Sequence, residues 1–118
     1  MRLKTKAPQM SEKQFLAQVI ELAKLYGWSC AHFRSARIQR KDGSHYYATP
    51  VQADGEGWPD LVMARPPRLI FAEIKSESGI PSEAQMDWIN CLNLCPPAEA
   101  YLWRPKDFDH IVAILEEK

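Results

Sequence analysis

The apolar patterning of this chain predicts an α/β fold: a mixed four-stranded sheet flanked by helices, with elements in the order αβββαβα. Three observations carry the prediction. Residues 11–26 place apolar side chains at helical spacing, with Phe15, Val19 and Leu22 joined by Leu16, Ile20 and Ala23 in one wide stripe suited to packing on a sheet. Leu61-Val62-Met63 and Leu69-Ile70-Phe71-Ala72 are short runs of strand-forming residues. Between them lies Ala64-Arg65-Pro66-Pro67-Arg68, whose paired prolines interrupt a ladder and mark a hairpin turn. A second helical pattern, from Ser82 to about Leu94, then precedes a last apolar run, Ala100 to Trp103. The third-to-fourth strand connection is therefore expected to be a parallel, right-handed crossover.

Taken in order, residues 1–10 form a basic arm carrying Arg2, Lys4, Lys6 and Pro8, and residues 11–118 form a single domain. Ser11 and Gln14 make the S-x-x-Q capping box that opens the first helix, and Gly27 ends it. Glu12 lies in the first turn, where a carboxylate favours the helix dipole; the competing reading is an active-site role, which its sharing a face with Leu16 and Val19 favours. Trp28 to Arg34 reads as the first strand, with Trp28, Cys30 and His32 on one face and Ser29, Ala31 and Phe33 on the other. His32 has no partner His at ligand spacing, and a structural role is expected of it.

From Ser35 to Glu56 the pattern breaks into a long loop or loose hairpin, in which Asp42-Gly43 is the turn signal and Ile38 can pair with Tyr46. Arg34, Arg37, Arg40 and Lys41, interleaved with Tyr46 and Tyr47, suit phosphate contacts and stacking on bases; the competing reading is solvated charge on a loop. Ser82-x-x-Gln85 is a second capping box, so Gln85 has a local role available at its helix start. Trp88, Ile89 and Leu92 are its expected buried face. Pro96-Pro97 stops that helix, and Pro105 with Asp107 opens the last one, whose Phe108, Ile111, Val112 and Leu115 are expected to face the core.

Composition narrows the function classes. A chain with 46% hydrophobic and 25% charged residues is an ordinary globular protein, and no apolar run approaches the roughly 20 residues of a membrane span. The N-terminus lacks the apolar core of a secretory signal, so a cytoplasmic location is expected. Cys30, Cys91 and Cys95 include no C-x-x-C pair, which argues against a disulfide framework and a zinc knuckle. Formal net charge is zero, but residues 1–45 hold nine Lys/Arg against three Asp/Glu, whereas residues 46–118 hold six against twelve. A net +6 half can meet phosphates while a net −6 half holds cations.

The hairpin concentrates that chemistry. A turn centred between Pro66 and Pro67 sets residue 60 opposite residue 73, so Asp60 and Glu73 meet across adjacent strands. Like charges placed so destabilise a sheet unless a cation offsets them. Lys75 projects to the same side as Glu73, while Ile74 points into the core.

Pro59-Asp60 followed by Glu73-Ile74-Lys75 resembles the PD-(D/E)XK nucleases. Within that superfamily the chain is most similar to the stand-alone VRR-NUC domains of phages and bacteria, through Glu12, Gly57 to Asp60, Glu73 to Lys75 and Gln85 in that order. The resemblance covers nearly the whole chain; its specificity lies in the ordered set, since Pro-Asp or Glu-x-Lys alone is common. It implies a restriction-endonuclease-like core and a divalent-metal-dependent DNA endonuclease leaving 5′-phosphates, in the cytoplasm of a bacterium or a phage-infected host. Asp60, Glu73 and the carbonyl of Ile74 would hold Mg²⁺ or Mn²⁺, hard ions suited to oxygen donors, with Glu12 at a second ion or its water. Lys75 and Gln85 complete the implied catalytic set. Members of this type are expected to be homodimers cutting branched DNA such as four-way (Holliday) junctions, since a two-fold dimer supplies the second incision. The alternative is a non-catalytic nucleic-acid-binding or assembly module of the same fold. That reading gives no physical reason for Asp60, Glu73 and Lys75 to occur together.

Overall fold

The computed structural model describes residues 9–33, 36–48 and 51–118, with the backbone alone at 36–38 and 46–48. Its elements are α1 (Glu12–Leu25), β1 (Ser29–His32), β2 (Ala36–Gln39), β3 (His45–Ala48), β4 (Leu61–Arg65), β5 (Arg68–Ile74), α2 (Glu83–Asn93), β6 (Ala98–Trp103) and α3 (Phe108–Glu116). A four-stranded sheet runs in the order β1-β4-β5-β6. The pairings β1–β4 and β4–β5 are antiparallel and β5–β6 is parallel. The sheet and its helices thus follow αβββαβα, with β2 and β3 inserted after the first strand as a separate antiparallel pair.

The period-two pattern of β5 explains why both faces of the sheet are covered. Ile70, Ala72 and Ile74 join Phe15 and Val19 of α1 and Ile111 and Leu115 of α3 in the larger core, together with Leu61, Met63 and Trp103. Phe71 turns the other way, into a smaller core with Ile89 of α2 and Ala100 of β6. Each fully buried large apolar side chain contributes about 1.5–3 kcal/mol relative to exposure, so these clusters fix which face each helix covers. Both capping boxes form as the sequence predicts, at Ser11/Gln14 and Ser82/Gln85.

Four expectations are adjusted. β1 ends at His32 and is largely exposed, because it is an edge strand paired only with β4. β6 starts at Ala98, since its parallel pairing continues down to Leu69. α2 buries Ile89, whereas Trp88 and Leu92 are only half-buried. In α3 the buried set is Ile111, Ile114 and Leu115, with Ile114 in place of Val112. That helix is entered through a 3₁₀ turn at Pro105–Asp107, and Phe108, at the junction, is only half-buried, like Val112.

Two arginines of the β4–β5 turn close the molecule at its far end. Arg65 and Arg68 lie over the Trp28 ring at 4.6 and 5.1 Å. They donate to carbonyls left open at helix ends: Arg65 to Tyr26 and Leu115 at 3.0 and 2.8 Å, and Arg68 to Ile114 at 2.9 Å. Arg68 also pairs with Glu99 at 2.8 Å. In the β2–β3 turn, Asp42 accepts from the amide and hydroxyl of Ser44 at 2.9 and 2.6 Å, which holds its carboxyl below the usual range.

Candidate active site

The β4–β5 ladder pairs Leu61 with Ala72 and Val62 with Phe71, the register expected from a turn centred on Pro66-Pro67. One step further out along this register, Asp60 stands opposite Glu73. There the ladder changes partner: the Ile74 N–H is accepted by the Asp60 carboxylate, at 2.9 Å. Glu73 is 1% exposed. Its Oε1 accepts from Gln85 Nε2 at 2.9 Å and lies 3.7 Å from Lys75 Nζ. Its Oε2 is buried without a hydrogen-bond partner among the described residues.

Burial is the main reason the Glu73 carboxyl is pushed up to about 8, followed by the Asp60 charge and a hydrogen bond to Asp60; Lys75 opposes the shift and Glu12 adds to it. The hydrogen bond and the orphaned Oε2 describe two protonation states. With both carboxyls ionised neither can donate, so a proton shared by the pair is what makes that contact a bond. The site therefore holds a carboxylate pair that the protein compensates only in part, through Lys75, Gln85 and the Ile74 amide.

Three local features position the pair. Gly57, just before Trp58-Pro59-Asp60, has φ +82° and presses on the first turn of α2; a Cβ there would stand 2.5 Å from the Ala84 carbonyl carbon. Only glycine meets both demands. Trp58 packs edge-on against Trp88 of α2 at 4.9 Å and Phe71 at 5.5 Å. Trp88 donates to the carbonyls of Asp54 and Glu56 at 3.2 and 3.0 Å, tying the segment before Asp60 to α2.

Gln85 resolves the choice its sequence context poses, because its two ends do different things. Its Oε1 accepts from the Ser82 amide at 2.8 Å, completing the capping box, while its Nε2 donates to Glu73. The cap thereby fixes which end of the amide faces the carboxylates.

Glu12 is exposed as a residue. Its carboxyl is raised above the usual range, first by partial desolvation and then by Asp60, against an opposing effect of Lys75. It shares the site's electrostatic field, but no group of three His, Cys, Asp or Glu side chains that could hold a metal ion occurs among the described residues. Arg34 lies outside the described residues, and of Arg37 only the backbone is described, paired with Tyr47. Ile38 pairs with Tyr46 as expected. Arg40 and Lys41 are exposed at the β2–β3 turn. His32 is exposed on β1, opposite Leu61.

Sequence reasoning missed Arg104. The β5–β6 register that pairs Ile74 with Trp103 brings Arg104 beside Lys75, and its Nη1 donates to the carbonyls of Ser76, Glu77 and Gly79 at 2.7, 3.3 and 2.6 Å. The parallel crossover was the available signal, since it places the ends of β5 and β6 side by side.

The donor set fits a hard divalent cation: two carboxylates, one with an orphaned buried oxygen, next to the backbone of Ile74. An ion such as Mg²⁺ is commonly held by one or two carboxylates with waters completing its shell, so two protein carboxylates suffice. Compared with family models, with curated proteins and with solved structures, the chain matches none. No described helix is long and apolar enough to cross a membrane.

Proposed function

We propose that this chain is a divalent-metal-dependent DNA endonuclease of the VRR-NUC type, acting as a homodimer on branched DNA and leaving 5′-phosphates. The observation that carries the reading is the buried Glu73, opposite Asp60, with one oxygen lacking any hydrogen-bond partner among the described residues and an ammonium 3.7 Å from the other. Burying a carboxylate with one oxygen unpartnered is costly, and a cation-binding role accounts for that cost where a structural role does not.

Asp60, Glu73 and the Ile74 carbonyl would hold Mg²⁺ or Mn²⁺. When bound, such an ion polarises a phosphoryl oxygen and acidifies water. The side chains divide the remaining work. Gln85 holds the Glu73 carboxylate in one orientation, and Lys75 places a positive charge beside the phosphoryl group under attack. Glu12 tunes the field from the start of α1. Arg34, Arg37, Arg40 and Lys41 take the phosphate backbone, with the DNA lying toward the basic N-terminal part of the chain.

The test is incubation of purified protein with supercoiled plasmid and with a four-way junction, with Mg²⁺ or Mn²⁺ against EDTA. Metal-dependent nicking that Asp60→Ala abolishes is the expected result. Undiminished nicking by that variant ends the proposal.

A further inference from the structure

The segment between Lys75 and α2 is short and well tied; Ser78, Ile80 and Ser82 are its exposed positions, and Ile80 is the one large apolar residue among them. Ser76, Glu77 and Gly79 all give their carbonyls to the Arg104 guanidinium. Glu77 Oε1 accepts from the Lys106 amide at 2.6 Å, and the Gly79 amide donates to Ser76 Oγ at 3.0 Å. Pro81 follows, with its backbone angle fixed by its ring. Ile80, held between these anchors, is 86% exposed.

A single exposed apolar residue ordinarily needs no explanation. This one differs in two respects. The frame on either side of it is rigid, so Ile80 has little freedom to fold back onto the apolar core. It also adjoins the site: a Cβ on Gly79 would lie 3.4 Å from Lys75 Cδ, and Ile80 is the next residue, one Cα step of about 3.8 Å away. The backbone at Ile80 thus adjoins the Lys75 side chain, so a phosphate held at Lys75 would set its flanking base step beside this loop. Apolar side chains that insert between base steps open them for a few kcal/mol, and that cost is least where stacking is already broken.

We propose that Ile80 is an apolar wedge entering the base step next to the scissile phosphate, and that it selects DNA already unstacked there, at a branch or a nick. This rests on the nuclease reading. The wedge supplies what the basic hairpin lacks, since phosphate contacts favour any DNA and carry no preference for distorted steps.

The test separates the wedge from the chemistry by working in EDTA, where no cleavage occurs. A branched duplex carrying 2-aminopurine at the branch is titrated with wild type, Ile80→Ser and Ile80→Leu. Wild type and Ile80→Leu should brighten the fluorophore, whereas Ile80→Ser should bind within about two-fold of wild type, its phosphate contacts intact, without brightening it. With Mg²⁺, Ile80→Ser should lose about ten-fold in cutting branched DNA and little on single strands, which need no opening. Equal brightening by wild type and Ile80→Ser, or none by bound wild type, overturns the wedge and leaves the nuclease standing. Failure of wild type to bind the DNA in EDTA and to cut it with Mg²⁺ removes the nuclease reading and the wedge with it.

Discussion

At the scale of single residues, Glu73 is where the fold and the chemistry conflict. Its carboxyl is raised to about 8 against an ordinary value of 4.5, so the folded state binds a proton that the unfolded chain releases. The sign follows from linkage: the stabilisation is complete below pH 4.5 and is lost as pH rises toward 8, which makes the metal-free protein weaker in alkali. Glu73→Gln keeps the shape and cannot ionise. Its stability should match wild type near pH 4.5 and exceed it above pH 8, by at most about 5 kcal/mol, with Mg²⁺ narrowing the gap by binding the wild type more tightly. Parallel melting temperatures across that range would show that Glu73 is not the titrating group. Lys75→Ala should abolish cleavage in a plasmid-nicking assay while circular dichroism shows the fold retained, because it removes a half-buried charge at the end of a strand and no core volume.

At the scale of elements, the N-terminus of α2 joins stability to function through one side chain, and two substitutions separate them. Ser82→Ala removes the hydroxyl that accepts the Gln85 amide at 3.1 Å and should cost about 1 kcal/mol in denaturant unfolding, with cleavage changed only slightly. Gln85→Glu keeps a capping-box residue but sets a third carboxylate against Glu73. It should cleave worse than Ser82→Ala and lose stability increasingly as pH rises and the carboxylates ionise; unchanged cleavage by Gln85→Glu would show that Gln85 is only a cap. The β2–β3 pair makes a different claim. Replacing Arg37, Arg40 and Lys41 with Ala should reduce the slope of log affinity against log salt by roughly one per lost phosphate contact, and an unchanged slope assigns them to solvated surface.

Most of this element layer was legible because local signals set it: Ser11 and Ser82 cap, Gly27 stops, and the prolines at 66 and 67 fix a register that carries Asp60 to Glu73. What stayed hidden depends on contacts between distant segments. Arg104 under the Lys75 loop, Arg65 on the end of α3 and Trp88 on the carbonyls of Asp54 and Glu56 have no local pattern, since each partner lies more than 20 residues away.

At the scale of the whole molecule, one chain presents one carboxylate pair, whereas resolving a four-way junction takes two incisions on strands related by approximate two-fold symmetry. A closed two-fold dimer repeats the site across its axis and is the commonest form of oligomer. The fold narrows where an interface can form. Trp28 and Trp103 are 3% and 2% exposed and belong to the core. Trp58 and Trp88 are half-buried against each other, Tyr101 is half-buried on Trp103, and Phe33 is exposed beside Trp58, so these are among the described aromatic side chains that could meet a partner. Both edge strands, β1 and β6, are open to a second copy within the described residues. Light scattering at micromolar concentration should therefore give twice the 13.5 kDa of one chain, with junctions cut faster than flaps by paired nicks. A strictly monomeric mass, with junctions cut no faster than flaps, would refute the junction-resolving dimer. It would leave the metal-dependent site intact, because Asp60, Glu73, Lys75 and Gln85 all come from a single chain.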